Sequence, residues 1–116
     1  MNKIDAVAAL SALAQEHRLA VFRLLVQAGP EGMPAGAVAQ AVDLAPNALT
    51  FHFDRLREAG LVTAQRNGRS MIYAARFETM YALLGFLTEN CCHGAIEKCV
   101  PMVWKPTKTK RTKITA

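Results

Sequence analysis

Three cysteines lie within nine residues near the end of the chain, at Cys91, Cys92 and Cys99, and they are its only cysteines. Thiolates bind soft ions well, and thiols ionise close enough to neutral pH to supply them. Three thiols in so short a segment therefore predict a three-coordinate trap for a soft ion. We interpret this segment, which directly follows an apolar helical run, as the thiol site of a sensor.

The three thiols can converge only if the chain turns near them. Neighbouring residues on an α-helix diverge by about 100°, and residues seven apart are separated by roughly 10 Å along the axis. We therefore expect the last helix to end near Cys92, with Gly94 in a left-handed conformation that turns the chain back. His93 can supply a fourth ligand, so zinc or cadmium remains open as the bound ion.

Other interpretations of the cysteines stay open at this point. Cysteine is often a small buried hydrophobic residue, and a disulfide between Cys99 and either Cys91 or Cys92 would make a redox sensor. A small metal-scavenging protein would bind no duplex DNA. A thiol enzyme activated by His93 would be expected to carry a Gly-rich phosphate loop or paired carboxylates. The sequence has neither, so we expect no enzyme.

Composition and charge indicate a small folded domain that faces a polyanion. The chain has 116 residues, 52% of them hydrophobic, and a formal net charge of +5. A core this small would gain from a dimer. Residues 45–76 carry five arginines against two acidic residues, which predicts a nucleic-acid surface. No run of about 18 apolar residues and no signal segment is present, so we expect a cytoplasmic protein that does not enter the membrane.

The apolar spacing predicts four helices, over residues 4–14, 16–27 and 34–41 and from Pro46 to near Gly60. The short connection at residues 42–45 makes the last two a helix-turn-helix. At about 100° per residue, one side of the fourth helix is apolar and the other is available to DNA. The candidate base-reading residues on or beside that second side are Asn47, Thr50, Phe51 and Arg55.

A β-hairpin follows, formed by residues 61–66 and 69–75 around Asn67-Gly68, a dipeptide favoured where both turn positions need positive φ. Arg66 and Arg69 flank its tip, within reach of a phosphate backbone or minor groove. The fold class is therefore mainly α with a β-hairpin, a winged helix-turn-helix. A final helix from Phe77 carries a stripe that we expect to pair with a symmetry mate, formed by Met80, Leu83, Leu84 and Leu87.

Two stretches carry a family resemblance, LSALAQEHRL at residues 10–19 and LTFHFDRLREAGLV at residues 49–62. With the order of elements, they resemble the ArsR/SmtB family of metal-responsive repressors over residues 4–90. The resemblance implies a homodimer that binds double-stranded operator DNA through the fourth helix. We expect a DNA-binding and dimerisation domain with its cysteine site at residues 1–99. The tail at residues 100–116 is expected to be disordered, because residues 105–113 are basic and Thr-rich and have no apolar pattern.

The resemblance also implies an inducer. Members with two adjacent cysteines and a third beyond the last helix respond to trivalent arsenic, which matches Cys91, Cys92 and Cys99 and makes arsenite, or antimony, the expected ligand. Zinc is less favoured because the acidic and histidine pairs of zinc-sensing relatives are missing from residues 77–90. The chain departs from the family in having no cysteine at residues 34–41 and no hydroxylated cap at Ala45.

Overall fold

The computed structural model describes residues 1–95, so Cys99 and the predicted tail at residues 100–116 lie outside the described residues. The first four predicted helices are confirmed, with ends that agree to within one or two residues, whereas the last helix ends earlier than predicted. A single 3₁₀ turn at Cys91–Gly94 follows the last helix. In chain order the helices and strands are α1 Lys3–Leu13, α2 Glu16–Ala28, β1 Met33–Pro34, α3 Ala35–Ala41, α4 Pro46–Glu58, β2 Val62–Asn67, β3 Ser70–Ala75 and α5 Phe77–Leu87.

Local interactions fix where the helices begin and end. The Asn2 side chain accepts a hydrogen bond from the Asp5 amide at 2.8 Å, which satisfies one of the amides at the start of α1. The α3–α4 turn uses Asp43 in a left-handed conformation. Ala45 gives α4 no side-chain cap, because a methyl group cannot accept a hydrogen bond. Pro46 is the first residue of that helix, a position that proline favours. Gly60, at φ +78°, follows the end of α4.

The hairpin is confirmed, and a third strand that the sequence did not reveal joins it. The antiparallel sheet has the order β1-β3-β2, with Met33 opposite Tyr73. Residue 34 was predicted to open a helix, but it pairs with Ile72 before α3 begins. Gly32, at φ +75°, permits this pairing, because a Cβ there would overlap the carbonyl oxygen of Tyr73.

The position of the hairpin turn differs from the prediction by one residue. Asn67 pairs with Ser70, so the two turn residues are Gly68 and Arg69 rather than Asn67 and Gly68. Of the two predicted turn residues, only Gly68 has positive φ, at +67°. This is the pattern of a turn with glycine at its first central position, which needs no positive φ at Asn67. Arg69 consequently lies in the tip itself.

The core joins the helix-turn-helix to the hairpin. Phe53 on α4 stacks on Tyr73 of β3, with ring centroids 3.6 Å apart and planes 14° from parallel. The predicted inner side of α4 is confirmed as buried, and around it lies one continuous hydrophobic cluster. Its largest fully buried side chains are Phe53, Leu25, Leu49, Leu56, Leu61, Val21, Val38 and Val62.

The apolar stripe of α5 divides between two environments. Leu83 is 6% exposed and packs in the protomer's own core, whereas Leu84 is 50% exposed. Helix α1, which contacts α5, also buries one side and leaves large apolar side chains on the other. We refer to these exposed residues together as the terminal-helix face: Ile4, Val7, Leu10, Tyr81, Leu84 and Leu87.

Candidate nucleic-acid interface and thiol site

The outer side of α4 carries all four of the residues predicted to read bases. Asn47, Thr50, Phe51 and Arg55 are exposed, while Leu49, Phe53 and Leu56 hold the opposite side in the core. The buried side of α4 therefore positions the outer residues, and these outer residues are not needed to stabilise the fold. Their contact with DNA stays a prediction.

A chain of contacts runs along this outer side. Phe51 is 53% exposed, and the guanidinium carbon of Arg55 lies 5.1 Å from the centre of its ring, within cation–π range. Arg55 Nη1 also lies 3.5 Å from Glu58 Oε1. This ion pair is long and exposed, so it contributes little to stability. Residues one helical turn apart thus hold the Arg55 side chain along the surface of α4.

Two further side chains on α4 turn towards the helix itself. The Thr50 hydroxyl donates a hydrogen bond to the Pro46 carbonyl oxygen at 3.0 Å, so its remaining capacity is as an acceptor. Arg57 pairs with Asp54 at 3.1 Å and lies over the buried Phe53 ring. The interpretation of Arg57 as a surface residue without a base-reading role agrees with this local pairing.

The hairpin presents its two arginines in different settings. Arg69 is exposed in the turn, whereas the equally exposed Arg66 lies opposite Met71 in the ladder. Arg66 also borders a shallow cleft that Glu31 lines. The Glu31 carboxylate therefore lines the same cleft as Arg66, whereas Arg69 does not line this cleft.

His52 links α4 to α2 rather than facing the solvent. Its ring centroid is 5.4 Å from that of His17, and within residues 1–95 its buried Nδ1 has no hydrogen-bond partner. Burial lowers the pKa of His52, and the nearby His17 and Arg18 lower that pKa further. These contacts support the interpretation of His52 as a structural residue.

The thiol segment begins after α5 has ended. Helix α5 stops at Leu87, four residues before Cys91, so the prediction that it ends near Cys92 is wrong by five residues. Gly94 adopts φ +88°, as expected of a residue that reverses the chain. Asn90, Cys92 and His93 also lie in the left-handed region, at φ between +55° and +59°. Non-glycine residues adopt this region at a cost, and such strain is typical of functional segments.

The turn brings the first two thiols together. Cys91 Sγ and Cys92 Sγ are 3.5 Å apart, well beyond the roughly 2.05 Å of a disulfide bond. Among residues 1–95, no three His, Cys, Asp or Glu side chains form a cluster able to hold a metal ion. The predicted third ligand, Cys99, lies outside the described residues, so the predicted three-thiol site is neither assembled nor contradicted.

Hydrogen bonds connect the thiol segment to α5. The Cys91 amide donates to the Thr88 carbonyl oxygen at 2.9 Å. The Thr88 hydroxyl donates in turn to the Leu84 carbonyl oxygen at 2.8 Å. A rearrangement at the cysteines can therefore reach the C-terminal turn of α5 through two bonds.

Comparison with known proteins assigns the chain to a family. Residues 13–65 match the family described as "Helix-turn-helix domain". The chain is 35% identical over 77 residues to the uncharacterized HTH-type transcriptional regulator YceK of Bacillus subtilis (strain 168), covering 66% of this chain and 76% of YceK. It is 34% identical over 80 residues to the nodulation protein NolR of Rhizobium meliloti, covering 69% of this chain and 63% of NolR.

Solved structures agree with these sequence matches. The ArsR family transcriptional regulator RHA00566 superposes with a TM-score of 0.64 at 26% identity, over 74% of this chain and 91% of that one. The chain belongs to the helix-turn-helix transcriptional regulators, and its fold is that of these ArsR-family winged-helix structures. The homodimeric winged-helix domain of Mb0332 from Mycobacterium bovis, a possible ArsR-family regulator, shares the fold, with a TM-score of 0.60 at 24% identity over 74% and 80% of the two chains.

Membership in the helix-turn-helix transcriptional regulators confirms two expectations. The family consists of DNA-binding transcriptional regulators, which are not enzymes, so the prediction of no enzyme activity is confirmed. The predicted winged helix-turn-helix is confirmed as well. Within residues 1–95 no helix combines the length and apolarity needed to span a membrane. The arsenic response stays a prediction, because neither the structure nor these relatives test it.

Sequence reasoning missed two features of this candidate site. The contacts of Arg55 with Phe51 and Glu58 follow from their spacing of four and three residues, so the helical pattern alone could have revealed them. The His17–His52 contact joins two helices, and no local pattern in the sequence indicates it.

Proposed function

We propose that the protein is a transcriptional repressor that binds operator DNA as a homodimer and is released when trivalent arsenic or antimony binds Cys91, Cys92 and Cys99. The observation that carries this proposal is the 3.5 Å separation of the Cys91 and Cys92 sulfurs in a winged-helix regulator. The fold accounts for DNA binding, and the thiols provide the site at which the inducer binds.

The DNA-binding half rests on the exposed residues of α4 and the hairpin. Asparagine, threonine and arginine can hydrogen-bond base edges in the major groove, and an aromatic ring can contact a thymine methyl group. Arginines at a hairpin tip suit phosphates or a narrow minor groove. The proposed DNA contacts are Asn47, Thr50, Phe51, Arg55, Arg66 and Arg69.

The dimer is proposed to form through the terminal-helix face. Six large apolar side chains are exposed on two helices that contact each other, and scattered single residues would need no explanation. A second copy is the occupant that makes use of this face, because two half-sites about 34–36 Å apart require two recognition helices. The homodimeric Mb0332 domain has the same fold.

The two thiols lie close enough together to bind one ion. With an ion–sulfur bond of about 2.3 Å, the zinc–thiolate value, a sulfur separation of 3.5 Å gives an S–ion–S angle of roughly 100°. A tetrahedral angle would place the sulfurs about 3.75 Å apart at the same bond length, so the separation of 3.5 Å fits either a pyramidal or a tetrahedral ion. Trivalent arsenic carries a lone pair that compresses its bond angles below tetrahedral. Three thiols would displace three hydroxyls from arsenous acid and release three waters.

Binding would act on DNA through α5. Closing the site with Cys99 fixes the strained segment around Asn90 and Cys92, which is hydrogen-bonded to the last turn of α5. Because α5 belongs to the proposed dimer interface, a shift there changes the separation of the two α4 helices. A coupling free energy of about 1–3 kcal/mol lowers DNA affinity several-fold to a hundredfold or so.

The experiment combines DNA binding with metalloid stoichiometry on the reduced full chain. A duplex selected from a random library by the protein is titrated with and without arsenite, and native mass spectrometry counts arsenic per chain. We expect one arsenic per chain and loss of DNA binding. Cys92→Ser and Cys99→Ser should bind the duplex normally and no longer release it. His93→Ala is the control and should respond to arsenite like the unchanged chain.

Other outcomes would favour the alternatives that share the DNA-binding fold. Release by zinc or cadmium but not arsenite, abolished by His93→Ala, would identify a tetrahedral metal sensor. Release by peroxide alone, reversed by a thiol reductant, would identify a disulfide switch that includes Cys99. Failure of the full chain to select any duplex would refute the repressor itself.

A further inference from the structure

We propose that Phe51 and Arg55 act as a single reading unit, in which the Phe51 ring contacts a thymine methyl group and holds the Arg55 guanidinium against a guanine within two base-pair steps. This inference rests on the proposed binding of DNA by α4 and names the bases that its outer side prefers. The new element is that the two side chains contact the bases as a coupled pair, and not only that each of them contacts DNA.

The Phe51 ring is placed for contact with a partner. It is 53% exposed on a helix whose opposite side supplies the core, so the fold gains little from an aromatic residue there. The rings of Phe51 and His52 make a T-shaped contact, with their centroids 5.4 Å apart. This contact limits rotation of the Phe51 ring. A partly fixed apolar surface on a major-groove helix matches the thymine C5-methyl group, the one apolar group that base edges present there.

The Arg55 guanidinium is held by this ring. Its carbon atom lies 5.1 Å from the ring centroid, a cation–π contact with a residue one turn earlier on the helix. Its other neighbour, Glu58, is 3.5 Å from Nη1 and engages that nitrogen alone. The rest of the planar donor fork stays available, and two parallel donors match O6 and N7 of guanine.

The spacing of the two groups matches neighbouring bases. Residues four apart on a helix are separated by about 6 Å along its axis, and base pairs rise about 3.4 Å per step. The separation of 5.1 Å between ring centre and guanidinium lies between one and two steps. A thymine and a guanine at adjacent or next-but-one positions of each half-site can therefore be read together.

Chemically altered DNA tests the unit one atom at a time. The full chain first selects its duplex from a random library. Each thymine of a half-site is then replaced by deoxyuridine, which lacks only the methyl group, and each guanine by an analogue in which carbon replaces N7. We expect one thymine whose methyl removal costs about threefold to fourfold in affinity. A guanine within two steps of it should lose about fivefold or more.

Variants then separate coupling from simple addition. Phe51→Leu keeps an apolar group but loses the aromatic face, so it should retain the methyl effect and reduce the N7 effect by about twofold to fivefold. Arg55→Ala should abolish the N7 effect and retain the methyl effect. Arg57→Ala, on the neighbouring face and paired with Asp54, is the matched control and should change neither.

The outcomes distinguish this inference from the function on which it rests. If the chain selects no duplex, both fail. If it selects a duplex but Phe51→Leu leaves the N7 effect unchanged, the two residues act independently and the reading unit is refuted, while repression stands. If Arg55→Ala weakens binding equally for all duplexes and no guanine analogue matters, Arg55 binds phosphate, and the unit is likewise refuted.

Discussion

Replacing Leu84 by alanine should weaken the dimer and leave the protomer folded. Leu84 is 50% exposed, so half of its side chain is still to be covered when a second copy packs on the terminal-helix face. Burying a whole leucine contributes about 1.5–3 kcal/mol, so covering this half contributes about 0.75–1.5 kcal/mol per protomer. Two copies lose about 1.5–3 kcal/mol per dimer, which raises the dimer dissociation constant by roughly 10-fold to 150-fold.

The neighbouring leucine is the matched control. Leu83 is 6% exposed and lies in the protomer's own core, so Leu83→Ala should lower the free energy of unfolding by about 2–5 kcal/mol. Sedimentation equilibrium measures dimerisation, and urea unfolding monitored by circular dichroism measures stability. A dimer dissociation constant that Leu84→Ala changes by less than threefold, with helical content intact, would refute dimerisation through this face.

Three further changes test other parts of the structure. Arg69→Ala should weaken DNA binding and its salt dependence while leaving the number of arsenic ions per chain unchanged, as fluorescence anisotropy and native mass spectrometry would show; lost metalloid binding would contradict this. Because the pKa of His52 is lowered by burial, with His17 and Arg18 adding to the effect, the unfolded chain binds more protons below about pH 6.5. This contribution to stability is present above that pH and lost as the pH falls through the folded-state pKa, so His52→Gln should flatten the pH profile of unfolding. Gly32→Ala should lower the unfolding free energy by about 2 kcal/mol or more, whereas Gly36→Ala, with open space around its Cβ, should not; equal effects in urea unfolding would contradict the β1–β3 packing.

The sequence predicted the parts of the fold that periodic patterns specify. The inner stripe of α4 follows a repeating apolar pattern, and the ends of α1 to α4 lie beside recognisable residues such as proline and glycine. Their positions could therefore be predicted from the sequence. The turn was misplaced because Asn67-Gly68 satisfies one two-residue turn and Gly68-Arg69 satisfies another. Only the pairing of whole strands decides between them. A strand of two residues, Met33–Pro34, has no period to detect.

The candidate site was predictable in composition and less so in arrangement. The apolar stripe of α5 shows which residues avoid water, but it cannot distinguish the protomer's own core at Leu83 from an exposed face at Leu84. The need for a chain reversal at Gly94 followed from the geometry of a helix. The left-handed backbone at Cys92 and His93 did not follow from it, because cysteine rarely adopts that conformation and histidine, although enriched there, adopts it in a minority of cases.

The stacking of Phe53 on Tyr73 makes this regulator well suited to engineering. The stack joins α4 to the hairpin through residues that point inward, and the outer positions of α4 take no part in it. Substitutions at those outer positions would change the DNA sequence that the protein binds, while its folded core stays the same. The cysteines lie on a separate segment beyond α5. Under the proposed function, a metalloid biosensor built on this chain would be redirected to another promoter without changes to its thiol segment.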